Sequence, residues 1–223
     1  MEPDLSLEGK VAIVTGAAGA VGGEIARTFA AHGATLVVVD SLEAEGAETA
    51  KELGGGTLFL ACDVGDPDAV CSMVEAAAEK HGRLDILVNA SAVGLAIPDE
   101  PPGAASYPDE FFSRAVAIAV NGSFYCAKYA AQRMMARGAG CIVTVVKGEG
   151  AADLGGRVGQ AAGAAGAIRL TEAMALDLGL RGLRVNAITA GGRATPVDIA
   201  HAALFLASEM AARVNGATLA VGA

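Results

Sequence analysis

Short apolar runs rich in β-branched residues alternate with helix-like segments from one end of the chain to the other. That alternation constrains the fold most, because parallel strands need long crossovers, usually helices, to return the chain to the same end of a sheet. Strands are expected at Val11–Thr15 (VAIVT), Leu36–Asp40 (LVVVD), Thr57–Cys62, Leu84–Asn89 (LDILVN), Cys141–Val146 (CIVTVV), Leu183–Thr189 (LRVNAIT) and Thr218–Val221. Helices are expected from the glycine-rich turn to about His32, from Ser41, from Asp66 and Pro67 to His81, and over about Asp109–Arg137, Gln160–Leu180 and Pro196–Ser208. Asp66 before Pro67 is a favoured cap and first-turn pair, and Gly82 follows the basic end of the same helix. A proline-rich loop, Pro98–Pro108, precedes the first long helix. No repeat or composition break divides the chain, so residues 1–223 are read as one α/β domain built on a parallel sheet.

Composition narrows the setting. Charged residues make up 18% of the chain, and no charge-free stretch approaches the roughly 18–20 residues that span a bilayer. Glu2, Asp4 and Glu8 stand where a secretory signal would be basic and then apolar, so a cytoplasmic protein with no membrane partner is expected. A formal charge of -9 opposes binding to phosphate backbones, which removes nucleic acid as an expected partner. Cys62, Cys71, Cys126 and Cys141 lack C-x-x-C spacing and lie in apolar runs, so they are expected as buried free thiols, with neither a disulfide framework nor a metal site. Thirty glycines, no Trp and 4% aromatic residues require backbones to approach one another closely.

After VAIVT the chain reads TGAAGAVG and enters a helix, so backbone amides and the positive helix end can face a pyrophosphate, while Asp40 ends the second strand where it can hold a ribose hydroxyl. Each residue also has a plainer reading: glycines permit tight strand-to-helix packing, Asp40 precedes a helix, and Asp63 serves a turn. The runs EGKVAIVTGAAGAVG, HGATLVVVD, CDV, GRLDILVN, GLRVNAI and NGATLAV resemble, in order and over nearly the whole length, the short-chain dehydrogenase/reductase family. The resemblance implies a single Rossmann-like domain, a doubly wound parallel sheet with helices on both faces, that binds NAD or NADP and uses a Ser, Tyr, Lys and Asn set to oxidise alcohols or reduce ketones. Against the family pattern TGxxxGxG, Thr15, Gly16 and Gly22 match, and Ala20 puts a methyl where backbone should approach phosphate. Asp40 matches the acid that favours NAD, Asp63 and Val64 match the adenine contact, and Asn89 is what remains of NNAG, here NASA.

The catalytic set departs further. The family's proton donor is a Tyr whose pKa is lowered by a Lys four residues later. None of Lys10, Lys51, Lys80, Lys128 and Lys147 has a Tyr four residues before it. The resemblance places Gln160 at the Tyr position, Ala164 at the Lys position and Lys147 at the Ser position, while Asn121, in AVNGSFY, keeps the family Asn and is read as a structural residue bonding within a helix kink. Lys147 is read as a solvated strand-end charge near Glu149 and Asp153. In ITAGGRATPVDIA, Thr195 holds the family Thr position and Pro196 opens the next helix at once, so the substrate lid is largely deleted. His32 and His81 are read as helix-end residues, and Tyr125 and Tyr129 as a packed or interface helix face.

Two functional expectations follow. The first is a non-catalytic subunit, without cofactor or with weakly bound NAD, that assembles with an active short-chain dehydrogenase into a hetero-oligomer, expected as a tetramer, through the two long helices and the C-terminal strand. It resembles in design the hetero-oligomeric dehydrogenases that pair active with inactive subunits, such as 2-[hydroxy(phenyl)methyl]succinyl-CoA dehydrogenase. Gly163 and Gly166 each cost about 1 kcal/mol of helix propensity, which is expected to be offset by close packing on that helix. The second is a stand-alone NAD-binding protein, either an atypical oxidoreductase or a cofactor sensor.

Overall fold

The computed structural model describes residues 4–94, 103–148 and 157–222. Strands β1 (Val11–Thr15), β2 (Thr35–Asp40), β3 (Leu58–Ala61), β4 (Ile86–Asn89), β5 (Gly140–Lys147), β6 (Leu183–Ala190) and β7 (Thr218–Val221) form one sheet of order β3-β2-β1-β4-β5-β6-β7. Every neighbouring pair is parallel. Helices α1 (Ala20–Ala31), α2 (Glu43–Leu53), α3 (Pro67–His81), α4 (Asp109–Val116), α5 (Ser123–Met135), α6 (Val158–Gly179) and α7 (Pro196–Ala207) make the crossovers. Successive strand residues face opposite sides. Ile13, Val37 and Ile142 therefore join Met73 of α3 and Met134 of α5 in one core, whereas Val14, Val38 and Val143 join Phe29 of α1 and Leu204 of α7 in the other. The parallel sheet expected from the alternation, and the doubly wound domain that the resemblance implies, are the fold observed.

Three local differences have physical causes. The second helix begins at Glu43 with Leu42 as its cap, not at Ser41, because Asp40 Oδ1 takes the Leu42 amide and draws the chain into a turn first. The helix expected over Asp109–Arg137 is α4 and α5 joined by a π-helical turn, Ala117–Gly122, and it ends at Met135. The wider turn shifts which side chains face α6. Cys62, Cys126 and Cys141 are buried as expected, but Cys71 on α3 is only half-buried, and all four are free. No helix among the described residues is long and apolar enough to cross a membrane.

The carboxyl ends of β1, β2, β4, β5 and β6 bring Thr15, Asp40, Asn89, Lys147 and Ala190 to one edge of the sheet. The strand order reverses between β1 and β4, which is where open parallel sheets leave a crevice.

Candidate functional site

Thr15 Oγ1 accepts the Ala90 amide at 3.2 Å and locks the ends of β1 and β4 together. Gly16 turns the chain with φ +69°, and a Cβ there would stand 2.7 Å from the Ala90 carbonyl oxygen; at Gly22 a Cβ would stand 2.2 Å from the Gly16 oxygen. Both glycines are thus required by strand-to-helix packing alone. Gly19 caps α1 without any side-chain bond. The Gly19 amide bonds Gly16 and the Gly23 amide bonds Gly19, while the amides of Ala20, Val21 and Gly22 have no acceptor among the described residues. Ala20 is exposed beside them. Asp40 Oδ2 accepts from the Ala18 amide and Oδ1 from the Leu42 amide, both at 3.0 Å, so its half-buried carboxylate is fixed against the glycine turn.

Of the remaining nucleotide candidates, Val64 and Asn89, but not Asp63, line a narrow cleft with Thr15, Ser91, Ala92 and Ile118. Asn89 is 5% exposed. Its Nδ2 reaches the Ser123 carbonyl and Thr144 Oγ1 at 3.4 Å each, and its Oδ1 is buried with no donor. Asp63 does serve a turn, accepting the Gly65 amide at 2.9 Å, and it also pairs with Arg114 of α4, Nη1 to Oδ2 at 2.9 Å. Burial pushes its carboxyl up, but the Arg114 hydrogen bond, the Gly65 amide and the Arg114 charge together hold it below the usual range.

At the other end of the crevice, Gln160 lies in the first turn of α6, and its Oε1 accepts a hydrogen bond from the Tyr107 hydroxyl at 2.9 Å. Ala164 stands one turn later, half-buried. Lys147 ends β5 in register with Ala190 and is half-buried. Its expected neighbours Glu149 and Asp153 lie outside the described residues. Asn121 is exposed in the π-helical turn, with no side-chain hydrogen bond among the described residues, which corrects the expected bonding within the kink. The residue of that turn facing α6 is instead Ala119, 2.8 Å from the Cβ position of Gly163. Gly166 meets Val120 in the same way. What packs closely on Gly163 and Gly166 is therefore this chain's own α4 and the turn that follows it.

The lid is short in the structure too. β6 ends at Ala190 and α7 begins at Pro196. The intervening backbone is held by the Gly191 amide on the Val221 carbonyl at 2.8 Å and the Arg193 amide on Gly222 at 3.4 Å. Thr195 closes a capping box with Asp198, which occupies its side chain within the fold. Tyr107 escaped sequence reasoning because nothing local ties it to a residue 53 positions away. His32 sits at the end of α1 with Nδ1 2.8 Å from the Thr28 carbonyl, whereas His81 Nε2 is buried without a partner. Tyr125 and Tyr129 pack against the core, with the Lys128 ammonium 4.8 Å over the Tyr129 ring.

A parallel doubly wound sheet with a glycine turn at its switch point defines an α/β domain of the dinucleotide-binding type. Residues 10–203 match the family model for short chain dehydrogenases, and the chain belongs to the short-chain dehydrogenase/reductase family. It is 36% identical to D-threitol dehydrogenase of Mycolicibacterium smegmatis, covering 98% of this chain and 93% of that protein. That alignment runs over 248 positions, more than the 223 residues of this chain, so the relative carries residues that this chain lacks. The fold is similar to a 3-ketoacyl-(acyl-carrier-protein) reductase from Brucella melitensis complexed with NADH, with TM-score 0.89, 30% identity and 97% and 98% of the two chains covered. A hydroxysteroid dehydrogenase from Escherichia coli gives TM-score 0.87, 32% identity and 98% coverage of both chains.

A nicotinamide dinucleotide supplies hydride chemistry when bound, and its two halves fit this chain unequally. The uncapped amides of α1 and the carboxylate of Asp40 suit its phosphates and a ribose diol. The reacting end finds Ala164, which has no donor, Gln160, which has no transferable proton, and Thr195 engaged in its own cap.

Proposed function

We propose that this protein is a non-catalytic short-chain dehydrogenase subunit that assembles with and stabilises an active NAD-dependent alcohol dehydrogenase relative. The observation that carries the reading is the Tyr107–Gln160 hydrogen bond: the α6 position expected to present a proton donor presents an acceptor, already taken. Ala164 removes the cation that would poise a donor, and the connection from β6 to α7 is too short to carry a lid over the crevice. Three losses that bear on one reaction are most simply explained by its abandonment.

The two-sided core and all seven strands are retained, and apolar side chains stay uncovered on the long helices, including Phe124 of α5 at 40% exposure and Leu176 and Leu180 of the α6 region at 77% and 88%. Such a face on the described residues is suited to a second chain of the same fold. Co-expression with an active relative is expected to yield a stable mixed oligomer by size-exclusion chromatography with turnover carried by the relative. Recovery of a lone homo-oligomer that binds no relative counts against it. The second reading, a stand-alone NAD-binding protein, draws on the free α1 amides; NAD-dependent turnover abolished by Lys147→Ala would establish it instead.

A further inference from the structure

We propose that the amino-terminal end of the sheet, opposite the crevice, carries a binding site for a compact small molecule with two or more anionic groups, phosphate or carboxylate. None of the residues involved lies at the carboxyl edge where the crevice opens, so the site is independent of the subunit reading. The starts of β4, β5 and β6 and the end of α7 surround a cleft of about 220 Å3, whose lining includes Lys10, Asp85, Gly182, Arg184, Glu209 and Ala212. That volume is below the range of sites that take drug-sized ligands, so it suits a compact one.

Charge decides which kind. The two carboxylates of the cleft are matched: Arg83 holds Asp85 through two bonds of 2.7 Å, and the Lys10 ammonium stands 4.0 Å from Glu209. Arg184 instead donates to the carbonyls of Leu206, Ala207 and Ser208, at 2.6, 3.3 and 3.2 Å, so its guanidinium meets no carboxylate and its Nε–H is unused among the described residues. Arg181 and Arg213 adjoin the lining residues Gly182 and Ala212 in the chain, and Arg137 precedes Ala139 by two positions. The turns that carry Arg137 and Arg181 lie back to back, since a Cβ on Gly182 would stand 2.3 Å from the Gly138 carbonyl oxygen. All three arginines are exposed, with no ion pair or side-chain hydrogen bond among the described residues. By contrast, Arg27, Arg83, Arg114, Arg133 and Arg169 each hold a carboxylate. Leaving aside Arg157 and Arg193, which are engaged elsewhere, the arginines without an acid among the described residues all gather at this one end of a chain whose formal charge is -9. Cations so placed repel one another, and their planar forks take phosphate or carboxylate oxygens two at a time.

Calorimetry on the full chain with inorganic pyrophosphate, citrate and acetate tests this. Pyrophosphate, citrate or both are expected to bind at least about tenfold tighter than acetate, and the tighter of the two identifies the ligand's anionic group. Arg137→Gln combined with Arg181→Gln removes two exposed guanidiniums that the fold does not use, and affinity is expected to fall at least about tenfold. Saturating anion should also raise the melting temperature of the wild type more than that of the double variant. Arg169→Gln, which removes the same charge from an exposed position on α6, should leave the affinity within about threefold. An affinity retained in the double variant would place the anion elsewhere, at the glycine turn for instance, and overturns the inference. So does the absence of heat with both pyrophosphate and citrate, acetate binding as tightly as either, or an equal loss in Arg169→Gln.

Discussion

The Tyr107 hydroxyl donates to Gln160 Oε1 at 2.9 Å, tying the segment before α4 to the first turn of α6. Tyr107→Phe removes the donor and leaves the amide oxygen in a half-buried place, so stability is expected to fall by about 1 kcal/mol in urea unfolding. Adding Gln160→Leu should cost less than the sum of the two single changes, because both polar ends are then gone. Strict additivity would mean that the bond contributes nothing.

Restoring the family pair is not expected to restore the reaction. The double variant Gln160→Tyr, Ala164→Lys is expected to show no turnover above background with NAD+ and a panel of secondary alcohols, because Thr195 stays engaged in its own cap and the connection into α7 still carries no lid. Measurable activity would show that those two positions were the only barrier.

Gly22 carries the closest backbone approach in the glycine turn, with its Cβ position 2.2 Å from the Gly16 oxygen. Gly22→Ala is therefore expected to destabilise the protein by about 1–3 kcal/mol despite the better helix propensity of Ala. Gly103→Ala, where a Cβ meets nothing within 4 Å, serves as the control and should shift the melting temperature little.

Acid should weaken the fold through Asp85. Burial pushes this carboxyl up, but the paired Arg83 bonds at 2.7 Å, the Val11 amide, and the Arg83 and Lys10 charges together hold it below the ordinary value. A depressed native pKa means that the stabilisation is present above the unfolded value of about 3.9 and is lost as pH falls through the native one. Wild-type unfolding free energy should be steady near neutral pH and drop below about pH 4, and Asp85→Asn should show a shallower acid limb. Parallel limbs would dismiss the pair as the cause.

Thiol labelling should single out one cysteine. Burial, then Asp63 and Asp66, push Cys62 up to about 11, and burial also raises Cys126 and Cys141, whereas Cys71 alone is half-buried. In the native protein at mildly alkaline pH, Cys71 is expected to react first with a water-soluble disulfide reagent, and all four only on unfolding. Fast native labelling of Cys62 would contradict its burial.

The strands and the order of the helices could be read from the chain because period-two and βα patterns are local: VAIVT and LVVVD declare themselves as buried strands without any partner. Asp66 with Pro67 likewise announced its cap, which the Asp68 and Ala69 amides complete. Side-chain direction along a helix was not legible. Asn121 keeps the family Asn and is expected from sequence to bond within a helix kink, but the π-helical turn exposes it and gives Ala119 the inward place. The glycines of α6 announced a close neighbour without saying which, and only the tertiary fold identifies α4 and its adjoining turn. Long-range pairs such as Tyr107 with Gln160 and Asp63 with Arg114 leave no periodic trace at all.

The backbone between β6 and α7 is sewn to the last strand through Gly191 on Val221 and Arg193 on Gly222. The mouth of the crevice and the outer edge of the sheet therefore share main-chain hydrogen bonds, so a substitution that displaces Val221 or Gly222 at the edge also removes the acceptors that hold the connection beside the crevice.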